Sequence, residues 1–358
     1  MIPIFTSRGL IMKDSKEFTL IFSVLGLYAL FLSWSLLQER INTKPYGYAD
    51  SQPIFFRAPL VTNTIQALFA SFVGFVYSLV AHRKSPFAIF SNPKEHGSTS
   101  GATFFKYFAV IALTSSLSAP IGYQSLKHVD YLAYLLAKSC KLLPVMLVHF
   151  VLYRTKFPPH KYMVAAMVTA GVTMFTLGHS GSKKESLNDG NTLLGMSQLV
   201  ASMLLDGLTN STQDQLFKLR SKTTKVTGAS LMCILNLMVF ALTFSYMVAF
   251  KFDSELVYTY NFIKSYPRAL VDILSFAVFG AVGQVFVFII LEKFDSLILV
   301  TATVTRKMIS MILSVVLFGH HLNIWQWGGV VLVFGGIGYE SYVKIASKKE
   351  MKKKKKAE

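Results

Sequence analysis

The sequence predicts an all-α polytopic membrane protein, with about ten transmembrane helices arranged as two inverted five-helix repeats. Three observations carry that prediction. Of the 358 residues, 53% are hydrophobic and only 15% charged, and the mean hydropathy of +0.47 is far above that of a soluble domain. Unbroken apolar runs of about 20 residues recur along the chain, enough to cross roughly 30 Å of hydrocarbon at 1.5 Å per helical residue. Sliding the chain by 165 residues (141 to 306) lays Lys141 on Arg306, Met146 on Met311, Val168 on Val333 and Gly171 on Gly336. That repeat pairs the fourth span with the ninth and the fifth with the tenth. Five spans is an odd number, so the second copy enters the membrane from the opposite side.

The first run, 18–37, lacks the short apolar core and small-residue cleavage site of a removed signal peptide, so it reads as a retained span. The second and third are 59–80 and 104–122, the third with Lys106 close enough to its end to snorkel. The fourth, 129–153, carries Lys138 and Lys141 near its middle, and the fifth, 162–177, follows a tight loop at Pro158-Pro159. These five make a first half, residues 1–190. In the second half, 191–343, the spans are 193–213 with Asp206, 228–250, 269–291, 295–318 with Arg306 and Lys307, and 325–343. A basic tail, 344–358, follows, and no soluble domain fits anywhere. Pro120 and Pro144 can each kink the span that holds them.

A formal charge of +18 would point a soluble protein toward nucleic acid. Here the cations sit mainly in loops and the tail, so no nucleic-acid partner is implied. Of 36 Lys and Arg, 22 fall on the side shared by both termini and nine on the other, which predicts cytosolic termini. The two cysteines, Cys140 and Cys233, lie inside spans. They make no disulfide framework, and no metal-ligand spacing or cofactor motif accompanies them.

The cations inside spans are the strongest functional signal. Each costs about 2.5–3.5 kcal/mol at the bilayer centre, which is tolerable when the side chains line a wet or anion-filled cavity. Lys138 and Lys141 are three apart and share a helical face, roughly 13 and 18 Å into their span. Arg306 and Lys307 lie about 16 and 18 Å into theirs. Adjacent residues point about 100° apart, so one of that second pair is expected to engage an acid or a neighbouring helix. An inverted repeat holds its ligand near midplane between the halves, where all four would meet it. A diphosphate is the natural ligand, since guanidinium offers a planar fork and lysine a compact charge. The competing reading is an internal salt-bridge network, for which Asp206 is the acid placed well inside a span. Glu39, Asp130, Asp272 and Glu292 sit near span ends. Uncharged candidates to read the rest of a ligand are Gln38, Tyr123, Gln124, Asn210, Gln213, Asn236 and Gln284, with helix–helix hydrogen bonding as the alternative for each.

Several segments together resemble the nucleotide-sugar transporter family of the drug/metabolite transporter superfamily, most closely its fungal UDP-galactose transporter homologue branch. They are 118–126 (SAPIGYQSL), 137–141 (AKSCK) with Pro144-Val145, 206–210 (DGLTN) with 212–214 (TQD), 305–307 (TRK), 317–319 (LFG) with Gln326-Trp327, and Gln38-Glu39. The resemblance implies ten helices in two inverted halves. It also implies exchange of a cytosolic nucleotide sugar, such as UDP-galactose or UDP-glucose, for a lumenal nucleotide monophosphate by alternating access. By position it assigns the phosphates to Lys138, Lys141, Arg306 and Lys307, and it also marks Glu39 and Gln124. Some relatives are argued to exchange ATP for ADP across the endoplasmic reticulum membrane, and the same cations would suit that exchange.

The tail ends KKKKKAE, so Lys355 and Lys356 stand fourth and third from the end. On a cytosolic terminus this resembles the dilysine signal by which coat proteins retrieve endoplasmic-reticulum membrane proteins. A polybasic contact with anionic lipid is the alternative, and the position of the lysines relative to the terminus favours retrieval. Two other function classes compete with a carrier. A membrane-embedded glycosyltransferase would need acids or metal ligands beside the phosphates, and here acids are scarce and His320-His321 sits in a loop. A receptor or folding helper would not need charge pairs in equivalent helices.

Overall fold

A computed structural model describes residues 6–49, 52–83, 85–87, 101–140, 142–154, 157–180, 189–223, 227–294, 296–319 and 322–357. Lipid offers no partner to a backbone N–H or C=O, so long apolar runs close their hydrogen bonds as helices. The first half contains α1 (Thr6–Thr43), α2 (Pro59–His82), α3 (Gly101–Ser125), α4 (Tyr131–Ser139), α5 (Leu142–Tyr153) and α6 (Pro159–Ser180). The second contains α7 (Asp189–Thr223), α8 (Gly228–Phe250), α9 (Tyr258–Ser265), α10 (Pro267–Lys293), α11 (Ser296–Phe318) and α12 (Ile324–Ala357). Among the described residues seven helices are long and apolar enough to cross a membrane: α1, α2, α3, α8, α10, α11 and α12. Phe72, Val80, Phe250, Val316 and Val331 are exposed on them, as lipid-facing side chains would be.

The other three expected spans are helical but fall outside those seven. In α7 the polar residues Ser202, Asp206, Asn210 and Gln213 recur at helical spacing and form one stripe, which lowers its hydropathy while facing it into the bundle. The range 162–177 lies within α6. The range 129–153 forms two helices, α4 and α5, where the hydropathy pattern predicted one.

Pro144 explains that break. Its ring cannot donate to the carbonyl four residues back, and it clashes with that carbonyl, which belongs to Cys140. The chain therefore tightens, with the Cys140 N–H donating to the Ala137 carbonyl at 2.9 Å and Cys140 leaving helical geometry at φ −85°, ψ 54°. Tight packing fixes the far side, since a Cβ on Gly207 of α7 would stand 2.7 Å from the Pro144 carbonyl. Pro144→Ala should let one helix run through the break. We expect the melting temperature in detergent to hold or rise; a lowered melting temperature would mean that the break stabilises the fold.

Two small elements were not visible in the hydropathy pattern. A two-stranded hairpin, β1 (Gly47–Ala49) and β2 (Gln52–Ile54), pairs Tyr48 with Pro53. A π-helical turn, Phe252–Val257, leads into α9. They close one face of the bundle, called here the hairpin face. Phe262 packs edge-on against Phe56 and Tyr46, with centroids 5.3 and 5.6 Å away, over Ile41, Met247 and Phe276. Arg40 Nε pairs with Asp272 Oδ2 at 2.8 Å, tying α1 to α10, and the Tyr46 hydroxyl donates to the same oxygen at 3.1 Å.

Glu255, in the π-helical turn, serves this face as a cap. Ala58, preceding α2, offers no side-chain cap; the Val61 N–H instead donates to Glu255 Oε2 at 3.4 Å. Burial pushes the Glu255 carboxyl up from its ordinary 4.5 to about 7, against the pull of the α2 backbone, Lys251 and Lys127. The folded state thus holds an extra proton between those values, so this contribution to stability is full below about 4.5 and lost as pH rises through about 7. The melting temperature is expected to drop by a few degrees between pH 5 and pH 8, and Glu255→Gln should flatten that slope.

The helices neighbour one another in a regular scheme. Helix α3 packs on α7 and α1 on α10; α3 packs on α8 and α2 on α10; α5 packs on α7 and α1 on α11. Two further pairs, α2–α8 and α6–α12, join the halves. The α6–α12 crossing is close because it is glycine on glycine: a Cβ on Gly171 would stand 2.7 Å from the Gly329 carbonyl. At the same crossing Gly171 faces Val333, and Gly336 faces Val168.

Candidate functional site: a cation-lined cavity

A cavity of about 730 Å3 lies among α1, α2, α3, α4, α7, α8, α10 and α11. That is within the range of small-molecule sites. At one end of its lining Trp34 packs on the hydrophobic cluster of the hairpin face. Its lining runs the other way as far as Leu216, Leu231 and Phe288.

Three of the four predicted cations line it: Lys138, Arg306 and Lys307. The fourth, Lys141, lies outside the described residues. Lys138 is the last lysine of α4 before the break. Its Nζ donates to Asp206 Oδ2 and to Ser202 Oγ, each at 2.6 Å. Ser118 completes the cluster by donating its hydroxyl to the other oxygen of Asp206, and Ser202 donates to the Ser118 carbonyl at 2.7 Å. Gly122 makes room for it, since a Cβ there would stand 2.8 Å from Ser202 Oγ and 3.3 Å from Lys138 Cε. The salt-bridge reading thus holds for Lys138.

It does not hold for Arg306. Its guanidinium lies over the Phe31 ring, 4.9 Å from the centroid, and among the described residues no carboxylate pairs with it. A cation–π contact of this kind offsets about 0.5–2 kcal/mol, only part of the desolvation of a cation. Lys307 sends its amine 3.4 Å to the carbonyl of Lys138. That carbonyl is freed where α4 ends, so a cation there also meets the negative end of the helix. The expectation that one of this pair reaches a neighbouring helix is met by Lys307, although both line the cavity.

The uncharged candidates divide. Gln38, Tyr123, Gln213, Asn236 and Gln284 line the cavity. Gln124, one residue beyond Tyr123, is exposed and turned away from it. Asn210 donates its amide to the Asp206 carbonyl of its own helix at 2.6 Å and is outside the lining. Glu39 is buried in α1 just behind Gln38, also outside the lining. At the C-terminus α12 continues to Ala357, and the side chains of Lys355 and Lys356 lie outside what is described. His320 and His321 also fall outside the described residues.

Sequence reasoning missed Trp34, Asn63, Gln66 and Ser310, all in the lining. Trp34 Nε1, Asn63 Nδ2 and Ser310 Oγ are buried with no hydrogen-bond partner, which leaves them available to a ligand. A signal for two of them existed, since Asn63 and Gln66 are amides three apart on one face of a predominantly apolar helix.

A bundle of helices long and apolar enough to cross a membrane, enclosing a polar, cation-lined cavity, has the architecture of a membrane transporter. Comparison with known proteins agrees. The model of the UAA transporter family matches residues 19–344, and the chain belongs to that family. It is a multi-pass membrane protein. Among its relatives is a Debaryomyces hansenii protein named UDP-galactose transporter homolog 1, 65% identical over 92% of this chain and 95% of that one. The proteins of the same name from Candida albicans and Saccharomyces cerevisiae are 54% and 40% identical, over 96% and 90% of this chain and 94% of each relative. A solved crystal structure superposes with a TM-score of 0.54 at 14% identity, over 90% of this chain and 96% of that one, so the two share a fold.

Proposed function

We propose that this protein carries a nucleotide sugar, UDP-galactose foremost and UDP-glucose next, from cytosol to endoplasmic-reticulum lumen in exchange for a nucleotide monophosphate. The observation that carries this reading is Arg306. It is a mid-membrane guanidinium without a carboxylate partner among the described residues, and it shares one cavity with Lys307 and Lys138. A diphosphate there would receive a bidentate fork from Arg306 and point charges from the lysines, with Lys141 assigned to the same group. The names of the fungal relatives supply the uridine sugar.

The reading includes ten crossings in two inverted halves, with the fourth crossing made by α4 and α5 together. The helix neighbours support it. Exchanging each helix for its counterpart five spans on turns α3–α7 into α10–α1, α3–α8 into α10–α2, and α5–α7 into α11–α1. At the α6–α12 crossing the 165-residue repeat turns the Gly171–Val333 contact into Gly336–Val168, as a two-fold axis between those helices requires. Such an axis also brings α4 and α11 together, with their cations, at the centre. The excess of loop cations on the side of both termini supports a cytosolic location for them, where Lys355 and Lys356 would serve coat-protein retrieval.

Proteoliposomes test the function. Radiolabelled UDP-galactose should enter faster when the vesicles are preloaded with UMP. No stimulation by any uridine nucleotide would overturn the reading. Uptake of ATP stimulated by internal ADP would assign the same cations to an ATP/ADP exchanger.

A further inference from the structure

The end of the cavity beneath the hairpin face differs in chemistry from its cationic centre. Trp34 of α1 and Asn63 and Gln66 of α2 meet there against α10. Gly280 of α10 leaves the space between them: Trp34 Nε1 and Gln66 Nε2 each lie 2.8 Å from where its Cβ would stand, so the two nitrogens converge on one point. Trp34 Nε1 and Asn63 Nδ2 are both buried N–H donors without a partner. Two unsatisfied buried donors in the lining of one cavity call for an acceptor from outside the chain.

What they can accept is limited by the ring geometry. The indole of Trp34 is stacked on Phe276, with centroids 5.2 Å apart at 19°, and meets the edge of Phe31 at 6.1 Å and 81°. Phe276 takes one face of the ring, and the polar group it offers a ligand is its N–H edge. Amides of Asn and Gln present an acceptor and a donor side by side, the pattern that matches neighbouring hydroxyls. A flat base would fit better at the Lys138 end, where Tyr123 and Tyr134 enter the lining. Phe31 touches both Trp34 and Arg306, so this corner begins one side chain away from the guanidinium.

We propose that Trp34, Asn63 and Gln66 form a hexose subsite, reading the hydroxyls of the sugar attached to the diphosphate that Arg306 holds. The proposal rests on the transport reading above and assigns the sugar end of that ligand. Gly280 is the backing for these side chains, because a Cβ there would collide with Trp34 and Gln66 and displace them.

Competition against bound radiolabelled UDP-galactose by unlabelled UDP-galactose and by UDP separates the two claims, since UDP has the same base and diphosphate without the hexose. Wild type, Trp34→Phe and Asn63→Ala would be compared as purified full-length protein. Phe keeps the stack on Phe276 while removing only the N–H. UDP-galactose should weaken about tenfold in each variant, the effect of one lost hydrogen bond to a buried donor, while the UDP constant stays unchanged. Equal weakening of both ligands would show a packing role and overturn the subsite, as would no change in either. Wild type that binds UDP as tightly as UDP-galactose would overturn the subsite alone. Wild type that binds neither would overturn the transport reading and the subsite with it.

Discussion

Arg306→Ala is expected to reduce exchange about 100-fold while leaving yield and melting temperature in detergent near those of the parent. Loss of a charge-assisted hydrogen-bonding pair to a phosphate removes roughly 2–3 kcal/mol, and each 1.4 kcal/mol is tenfold. Stability should hold for a physical reason: the guanidinium is desolvated against Phe31 without a carboxylate among the described residues, so its removal relieves a burial penalty. Arg306→Lys keeps the charge but loses the planar fork, and should sit between, about tenfold down. A scaffolding arginine would behave in the opposite way, with Ala lowering the melting temperature and Lys restoring it. Lys141→Ala should match Arg306→Ala if both grip the phosphates. Initial exchange rates in proteoliposomes, beside melting curves of the same preparations, decide the matter; exchange that survives both substitutions would end the phosphate assignment.

Charge was the legible part of this site, because a cation inside an apolar run stands out in any hydropathy reading. Arg306, Lys307 and Lys138 were found that way, and all three line the cavity. The uncharged corner was not found, since Asn63, Gln66 and Trp34 barely perturb the hydropathy of α1 and α2. Partnership was also hidden. Lys138 and Asp206 are 68 residues apart, and only the packing of α3, α4 and α7 brings them to 2.6 Å. The split of the fourth span had a visible cause in Pro144, but hydropathy sums side chains and does not register a missing backbone donor. The hairpin and the π-helical turn escaped because each is shorter than the window a periodicity needs. Gly171 and Gly336 were seen as repeat partners; that they cross at the same place needed the fold.

A double-substitution cycle on Lys138 and Asp206 should produce the second large effect, and it separates binding from scaffolding. Asp206→Ala leaves an ammonium facing Ser118 and Ser202 with no counter-charge. Removing one partner of a buried pair costs about 3–5 kcal/mol. Here the side chains are 17% and 34% exposed, toward the cavity, so a loss of about 2 kcal/mol is expected. Lys138→Met should cost a comparable amount, since it strands the carboxylate. The double variant Lys138→Met, Asp206→Leu replaces both charges with apolar groups of similar volume and should recover most of that stability. Transport is where the readings part. If Lys138 only ties α4 to α7, the double variant regains exchange along with its melting temperature. If Lys138 also grips phosphate, the double variant melts like the parent yet remains at least tenfold slower. That result is expected, because the Lys138 ammonium lines the cavity and has three N–H donors, so an arriving phosphate can replace a serine contact while Asp206 keeps its counter-charge.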